Sequence, residues 1–280
     1  MKIKNLKYNL MAVATALTLT GCSCNANYET DELLNAIESL EEEVLSLEED
    51  NEQLKEEKRD LQVSFDVENL SNKIKQQFNG FDANYYDSDN SIYIIVSNYT
   101  SDDFKLSDEF YNNFNLLLTL GYPCHLEIAC LGDEIDFSRI KLNNVNKLDF
   151  VWCRKDFNYD TFTDYSYQSI KLAGVPFDVS KKLIDNSSDN KIDVSYYPYP
   201  YSYEEKNFEF VKYLIDNNIC LGNFNMISYS ANQELYHLLG SLNADGINLT
   251  DYSELSEVDS KVNINDNVNV VYESSYVKKK

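Results

Sequence analysis

A strict seven-residue repeat of leucine near the amino terminus constrains the fold of this chain more than any other feature. In heptad notation the leucines take position d, the residues four further on take position a, and no glycine or proline interrupts the pattern. The d positions are Leu33, Leu40, Leu47, Leu54 and Leu61, and the a positions are Ile37, Val44, Asn51, Lys58 and Phe65. A pure seven-residue period keeps one seam of a helix facing a partner, so it predicts a left-handed coiled coil within a helix spanning 31–78.

The residues at the a and d positions, and the charged residues beside them, indicate which kind of helix would pair with this one. β-branched residues at position a with leucine at d favour two parallel strands, and a polar Asn51 in the seam fixes their register. In a parallel homodimer Glu43 would face Glu48 and repel it, whereas Asp50 would face Lys55 and attract it. We therefore expect a homodimer, with a single helix lying back on the rest of the chain, or an antiparallel pair, as alternatives.

The segment before the heptads has the organisation of an export signal. Three lysines precede an apolar run from Leu10 to Leu19, which is about half the roughly 20 residues that a membrane-spanning helix needs. The run ends in Leu19-Thr20-Gly21-Cys22, which resembles the lipobox of bacterial lipoproteins. The resemblance implies a signal peptide over 1–21, cleavage before Cys22, and diacylglycerol on the sulfur of that residue.

That reading leaves 22–30 as a lipidated tether and places the protein on the extracytoplasmic face of a bacterial cell membrane. An ordinary secretory signal with a chance cysteine is the alternative. The formal net charge of −23 argues against nucleic acid as a partner, because an acidic surface does not displace counterions from phosphates. The same charge argues against electrostatic adhesion to anionic lipid.

Residues 81–280 form the predicted head domain, in which short alternating apolar pairs predict strands. The pairs are Ile92/Ile94, Leu126/Ile128, Leu148/Phe150, Ile170/Leu172, Ile192/Val194, Ile219/Leu221, Ile247/Leu249 and Val268/Val270. Between them, amphipathic patches predict helices over 110–120, 179–184, 208–215, 235–242 and 255–258. Three successive intervals, from Leu126 through Leu148 and Ile170 to Ile192, are 22 residues each.

A strand followed by a helix at this period resembles a leucine-rich repeat solenoid over about 126–270. The family's Asn or Cys, three residues after the second apolar position, is matched here by Cys153 alone. The predicted fold class is therefore α/β, with an N-terminal coiled-coil helix followed by a leucine-rich-repeat-like solenoid of parallel strands. A compact α/β domain with a mainly parallel sheet is the alternative.

The sequence contains no motif that carries a known chemistry. His-Glu-x-x-His, Gly-x-Ser-x-Gly, phosphate-loop and dinucleotide fingerprints are all absent, and the head cysteines show no Cys-x-x-Cys pair. Cys130 and Cys153 fall near the ends of successive predicted strands and could approach each other, but buried free thiols are the favoured interpretation. We expect no catalytic residue, no metal and no cofactor.

Two features of the head predict a binding surface. The residues after the first apolar position of successive repeats are Glu127, Asp149, Lys171 and Asp193, and in a solenoid they would form a solvent-facing strip. A loop predicted over 196–203 exposes five tyrosines, among them Tyr197, Tyr199 and Tyr201, with Trp152 toward the same edge.

These features together predict a membrane-anchored surface lipoprotein whose head binds a protein or a glycan. A hydrolase acting on wall material through Glu127, Asp149 and Asp193 is one alternative. A structural spacer or assembly lipoprotein without a ligand is the other.

Overall fold

The computed structural model describes residues 26–98, 106–187, 191–197, 203–228, 233–251 and 268–272. The chain divides into two compact units between Gln62 and Val63. The described residues of the first unit, 26–62, are helical, and the second unit contains the sheet. The predicted lipidation site at Cys22 lies outside the described residues.

A single helix, α1, runs Ala26–Lys75 and crosses that boundary. Before the boundary, the four d-position leucines whose side chains are described are exposed, from 53% at Leu40 to 73% at Leu61. After it, the apolar period changes from seven residues to three and four, and Val63, Val67 and Ile74 are buried in the core of the second unit. One helix therefore carries two differently spaced apolar faces, one in each unit.

The second unit contains nine described strands. They are β1 (Phe81–Tyr86), β2 (Ser91–Ser97), β3 (Cys124–Ala129), β4 (Val145–Val151), β5 (Ser169–Ala173), β6 (Ile192–Tyr197), β7 (Leu221–Ser228), β8 (Ala244–Asp251) and β9 (Val268–Tyr272). Four α-helices lie between them: α2 (Asp108–Leu118), α3 (Phe177–Ser187), α4 (Tyr203–Asp216) and α5 (Gln233–Leu239). Short 3-10 helices at Phe137–Arg139 and Asp160–Asp164 take the place of α-helices after β3 and β4.

The strands form one open sheet in sequence order, from β1 at one edge to β9 at the other. The first pair, β1 and β2, is antiparallel, and every later described pair is parallel. Each connection therefore advances the chain by one strand in the same direction across the sheet. This order differs from a doubly wound sheet, in which the order reverses at a switch point.

The core lies between one face of the sheet and the helices. Alternate residues of each strand are buried, such as Ile92 and Ile94 of β2 and Val194 of β6. The buried faces of the helices belong to the same apolar cluster, with Phe114 of α2 and Phe210 of α4 as large members. The helices therefore cover this face of the sheet, and the residues between the buried ones face the other way.

The predicted α/β class with a mainly parallel sheet is confirmed. Seven of the eight predicted apolar pairs lie within described strands. The eighth is wrong at Ile219, which precedes β7; the alternating pair of β7 in register with Val194 and Tyr196 is Phe224 and Met226. The predicted helix over 255–258 lies outside the described residues, and the hairpin strand β1 was not predicted.

Candidate functional site

The face of the sheet opposite the helices is the candidate functional site, and we call it the outward face. Its middle row of side chains crosses eight strands in register: Ile95, Glu127, Asp149, Lys171, Ser195, Asn225, Asn248 and Asn269. Most of these residues are half-buried rather than fully covered. The sheet thus presents polar groups of neighbouring strands at a spacing of roughly 4.8 Å.

Three of the four residues of the predicted strip lie in one row. Glu127, Asp149 and Lys171 occupy neighbouring places in the middle row. The predicted alignment of Asp193 is wrong, because Lys171 pairs with Ser195, and Asp193 pairs with Ser169 one row earlier. Ile170 pairs with Val194, so the interval between these strands is two residues longer than the repeat of 22 suggested.

An amide ladder occupies the β6 to β9 half of the middle row. The Nδ2 group of Asn225 donates to Ser195 Oγ at 3.1 Å, that of Asn248 to Asn225 Oδ1 at 2.9 Å, and that of Asn269 to Asn248 Oδ1 at 3.3 Å. Sequence reasoning missed these residues although a signal was present. Each asparagine lies between two apolar residues of its strand, as in Phe224-Asn225-Met226.

A cluster of titratable groups occupies the opposite, β2 to β4 end of the outward face. Tyr93 donates through its hydroxyl to Glu127 Oε2 at 2.6 Å, and the ring of Tyr93 meets that of His125 edge-on at 4.5 Å. The Nε2 atom of His125 lies 3.0 Å from Asp149 Oδ2, although the contact is not aligned as a hydrogen bond. Burial, followed by the Glu127 carboxylate, raises the pKa of Tyr93. Glu127 and Asp149 thus have partners within the sheet.

Asp193 supports an irregularity of the sheet. The register between β6 and β7 shifts after Ile192, and Asp193 Oδ1 accepts hydrogen bonds from the backbone N–H of Asn223 at 2.6 Å and its Nδ2 at 3.2 Å. A β-carbon at Gly222 would lie 2.3 Å from the same carboxylate oxygen. A glycine there lets Asp193 reach the irregular backbone, so this predicted site residue has a structural role.

Trp152 lies in a repeated backbone arrangement at the carboxyl ends of three strands. Cys130, Trp152 and Gly174 each follow their strand directly, with φ values of 56°, 52° and 73°. Their N–H groups donate to Val151, Ala173 and Tyr197 of the next strand at 3.0, 3.0 and 2.9 Å. A left-handed backbone costs a residue with a side chain roughly 1–2 kcal/mol. Trp152 is 39% exposed in this strained position.

The tyrosine-rich segment differs from its prediction at both ends. Strand β6 continues to Tyr197, and Tyr196 is buried with its ring stacked on Phe210 at 3.9 Å. The predicted loop over 196–203 is therefore wrong for Tyr196 and Tyr197, and it is also wrong for Tyr203, at which α4 begins. Tyr197 is half-buried at the end of the strand, whereas Tyr199 and Tyr201 lie outside the described residues.

A groove of about 890 Å³ lies at the amino ends of β3 to β7. It is lined by the turns that precede these strands, and its polar groups come mainly from Asn143, Asn146, Ser166, Gln168, Lys191 and Asp193. Sequence reasoning did not predict it. The sequence marks it only by the Asn-rich turn at 143–146 and the Ser166-Tyr167-Gln168 turn.

The cysteines of the described chain, Cys124, Cys130, Cys153 and Cys220, carry free thiols. Burial raises the pKa of Cys124 to about 12, and burial is also the largest cause that raises the pKa of Cys153 to about 12. Within the described ranges, no group of three His, Cys, Asp or Glu side chains could hold a metal ion. In the same ranges no helix is long and apolar enough to cross a membrane.

In the first unit, the predicted coiled-coil seam lies along one side of α1. Leu40, Leu47, Leu54 and Leu61 are all exposed, and Ile37 and Val44 are half-buried. Asn51 lies on the same side of the helix and is exposed. The side chain of Leu33 lies outside the described part of the chain.

Comparison with known proteins gives no match: no protein-family model, curated protein or solved structure is similar to this chain.

Proposed function

We propose that the chain is a lipid-anchored bacterial surface protein whose head binds a protein or glycan ligand through the outward face. The observation that carries the proposal is the middle row, in which polar side chains of seven parallel strands lie in register on the face that the helices leave uncovered. An extended open surface of this kind suits a ligand that contacts one or two side chains of each strand.

The resemblance to a leucine-rich-repeat solenoid supports this use of the sheet. Consecutive parallel strands in sequence order, with helices on one face, are the arrangement of such a solenoid. At the place of the family's asparagine, Leu131, Cys153 and Val175 are buried apolar or sulfur side chains. Cys130, Trp152 and Gly174, which follow their strands with positive φ values, donate backbone hydrogen bonds to the next strand. We propose that these bonds replace those of the family's asparagines, because they extend the backbone hydrogen-bond ladder by one residue.

The membrane anchor of the proposal rests on the lipobox at Leu19-Thr20-Gly21-Cys22. Two or three acyl chains hold a protein on a bilayer more firmly than one chain, because each buried methylene contributes about 0.8 kcal/mol. Replacing Cys22 with Ser should release the protein from the membrane fraction. A variant that still fractionates entirely with membranes would contradict the anchor.

We also propose that α1 associates with α1 of a second copy in a parallel coiled coil. Four exposed leucines at a seven-residue spacing form an apolar seam, with Asn51 within it and Asp50 and Lys55 beside it for pairing across the interface. Anchoring both copies in one membrane would raise their effective concentration.

Two charge reversals test the use of the outward face. Lys171→Glu changes the centre of the middle row, and Lys212→Glu makes the same change on α4, where the side chain is exposed on the helical side. We expect Lys171→Glu to abolish binding of the full-length chain to immobilised wall glycan or to surface-protein extract, and Lys212→Glu to leave it intact. Equal binding by the two variants would rule out the outward face.

A further inference from the structure

We propose that the groove at the amino ends of β3 to β7 binds an uncharged oligosaccharide. This site lies at the edge of the sheet rather than on the middle row, and the proposal goes beyond the ligand binding argued above. Its volume of about 890 Å³ is within the range of roughly 300–1,000 Å³ that is typical of small-ligand sites. Five successive strands contribute to it, so the groove is long enough for several sugar rings.

The charged groups in the groove already have partners, which favours an uncharged ligand. Lys191 and Asp193 are the charged groups among the described lining residues. Lys191 forms an ion pair with Asp245, and Asp193 accepts two hydrogen bonds from Asn223. A cationic ligand would have to compete with Asn223 for Asp193, and an anionic ligand would be repelled by that carboxylate.

The remaining polar groups match hydroxyl groups. Side chains of Asn143, Asn146, Ser166 and Gln168 line the groove, and each of these side chains can both donate and accept hydrogen bonds, as a sugar hydroxyl does. The bond from Asn146 Nδ2 to Gln168 Oε1 is long, at 3.5 Å, so a ligand can displace it at little cost.

The backbone of the groove is fixed, which favours a saccharide over an extended peptide. The N–H of Gln168 donates to Asn146 O at 2.7 Å, and the N–H of Asp193 donates to Gln168 O at 2.9 Å. These strand-end groups are therefore paired with each other, and an added peptide strand would find no free ladder along this row. The same bonds hold the amide side chains in place before a ligand arrives.

Calorimetric titration of the full-length chain in detergent tests the proposal. The probes are uncharged hexasaccharides of glucose, mannose and N-acetylglucosamine. We expect at least one to bind, and Asn146→Ala combined with Gln168→Ala to weaken it by about tenfold or more. Ser166→Trp is the second variant: it fills the groove from an exposed position and should abolish binding without removing a hydrogen bond shown by the structure.

The control is Lys212→Glu, an exposed change on α4 outside the groove and the outward face, which should leave saccharide binding unchanged. Loss of saccharide binding in this control as well would show that the loss is not specific to the groove and would overturn the groove site. Binding by none of the three sugars would also overturn it, as would full affinity in Ser166→Trp. Binding of an uncharged Gly-Ser-Asn peptide in place of the sugars would identify a peptide groove instead.

Discussion

Asn248 donates through its side-chain amide to the side-chain oxygen of Asn225 at 2.9 Å, on neighbouring parallel strands. The bond is one step of the ladder from Ser195 to Asn269, so Asn225 both donates and accepts within the row. The ladder links four strands at the β9 end of the sheet through their side chains as well as through their backbones.

Removing an interior member of the ladder should cost more than removing its end. Asn225→Ala eliminates two hydrogen bonds, whereas Asn269→Ala eliminates one bond at an exposed position. We expect the free energy of unfolding to fall by about 1–2 kcal/mol for Asn225→Ala and by about half of that for Asn269→Ala. Urea denaturation of both full-length variants measures the difference. An Asn269→Ala loss as large as that of Asn225→Ala would contradict the expected difference between the interior and the end of the ladder.

Gly222, at the irregularity between β6 and β7, gives a prediction that rests on steric overlap. A β-carbon at Gly222 would meet Asp193 Oδ1 at 2.3 Å, so Gly222→Ala should displace the carboxylate from the backbone N–H of Asn223. We expect a loss of about 2 kcal/mol in the free energy of unfolding, from strain and from the broken hydrogen bond.

Gly246→Ala is the matched control for Gly222→Ala. Its β-carbon would approach Asn223 Oδ1, the end of a side chain, at 3.0 Å. A small shift of that side chain relieves the contact, so the loss should be clearly smaller. Similar thermal unfolding of the two variants would show that Asp193 does not support the irregular backbone.

The same irregularity limited what the sequence could predict. Alternation of apolar residues identifies strands because side chains of a strand alternate between its faces, and it located β2 to β6, β8 and β9. Alternation does not reveal where a strand gains an extra residue. The prediction therefore chose Ile219 instead of Phe224. Asp193 was aligned with Lys171 for another reason: the interval from Ile170 to its partner Val194 is two residues longer than the repeat of 22.

The candidate site was predictable only where it follows the period of the strands. Glu127, Asp149 and Lys171 were found because their spacing is constant. The groove was not found, because the turns before five strands form it and no local pattern relates those turns. Tyr196 was assigned to a loop on account of the following prolines, but its packing against Phe210 keeps it in the strand.

The buried thiols predict a loss of stability at alkaline pH. Burial raises the pKa of Cys124 and of Cys153 from 9.0 to about 12, so the folded state favours the protonated thiols. Their contribution is complete below about pH 9 and is lost as the pH rises toward 12. We expect the urea midpoint to fall between about pH 8.5 and pH 10.5, and to fall less in Cys124→Ala.

Comparing Cys124→Ala with the unaltered chain isolates the effect of the Cys124 thiol on stability. The comparison is needed because buried tyrosines also destabilise the folded state at high pH. Burial raises the pKa values of Tyr167 and Tyr196, so both also weaken the folded state at high pH. Both tyrosines are present in Cys124→Ala and in the unaltered chain, so their effect cancels when the two pH curves are compared. Parallel pH curves for Cys124→Ala and the unaltered chain would contradict the predicted role of this thiol.

The proposed dimer can be tested with two leucines that differ in heptad position but not in exposure. Leu47, at position d, is 58% exposed, and Leu45, at position b, is 57% exposed. If α1 forms a parallel coiled coil, Leu47 becomes buried in both copies, and Leu47→Ala should weaken the dimer by about 2 kcal/mol per leucine, or roughly a thousandfold in the dissociation constant. Leu45→Ala should change it little, because position b stays outside the seam. Sedimentation equilibrium of the two full-length variants measures both constants. Equal effects would indicate non-specific association, and a chain that stays monomeric at high concentration would exclude the dimer.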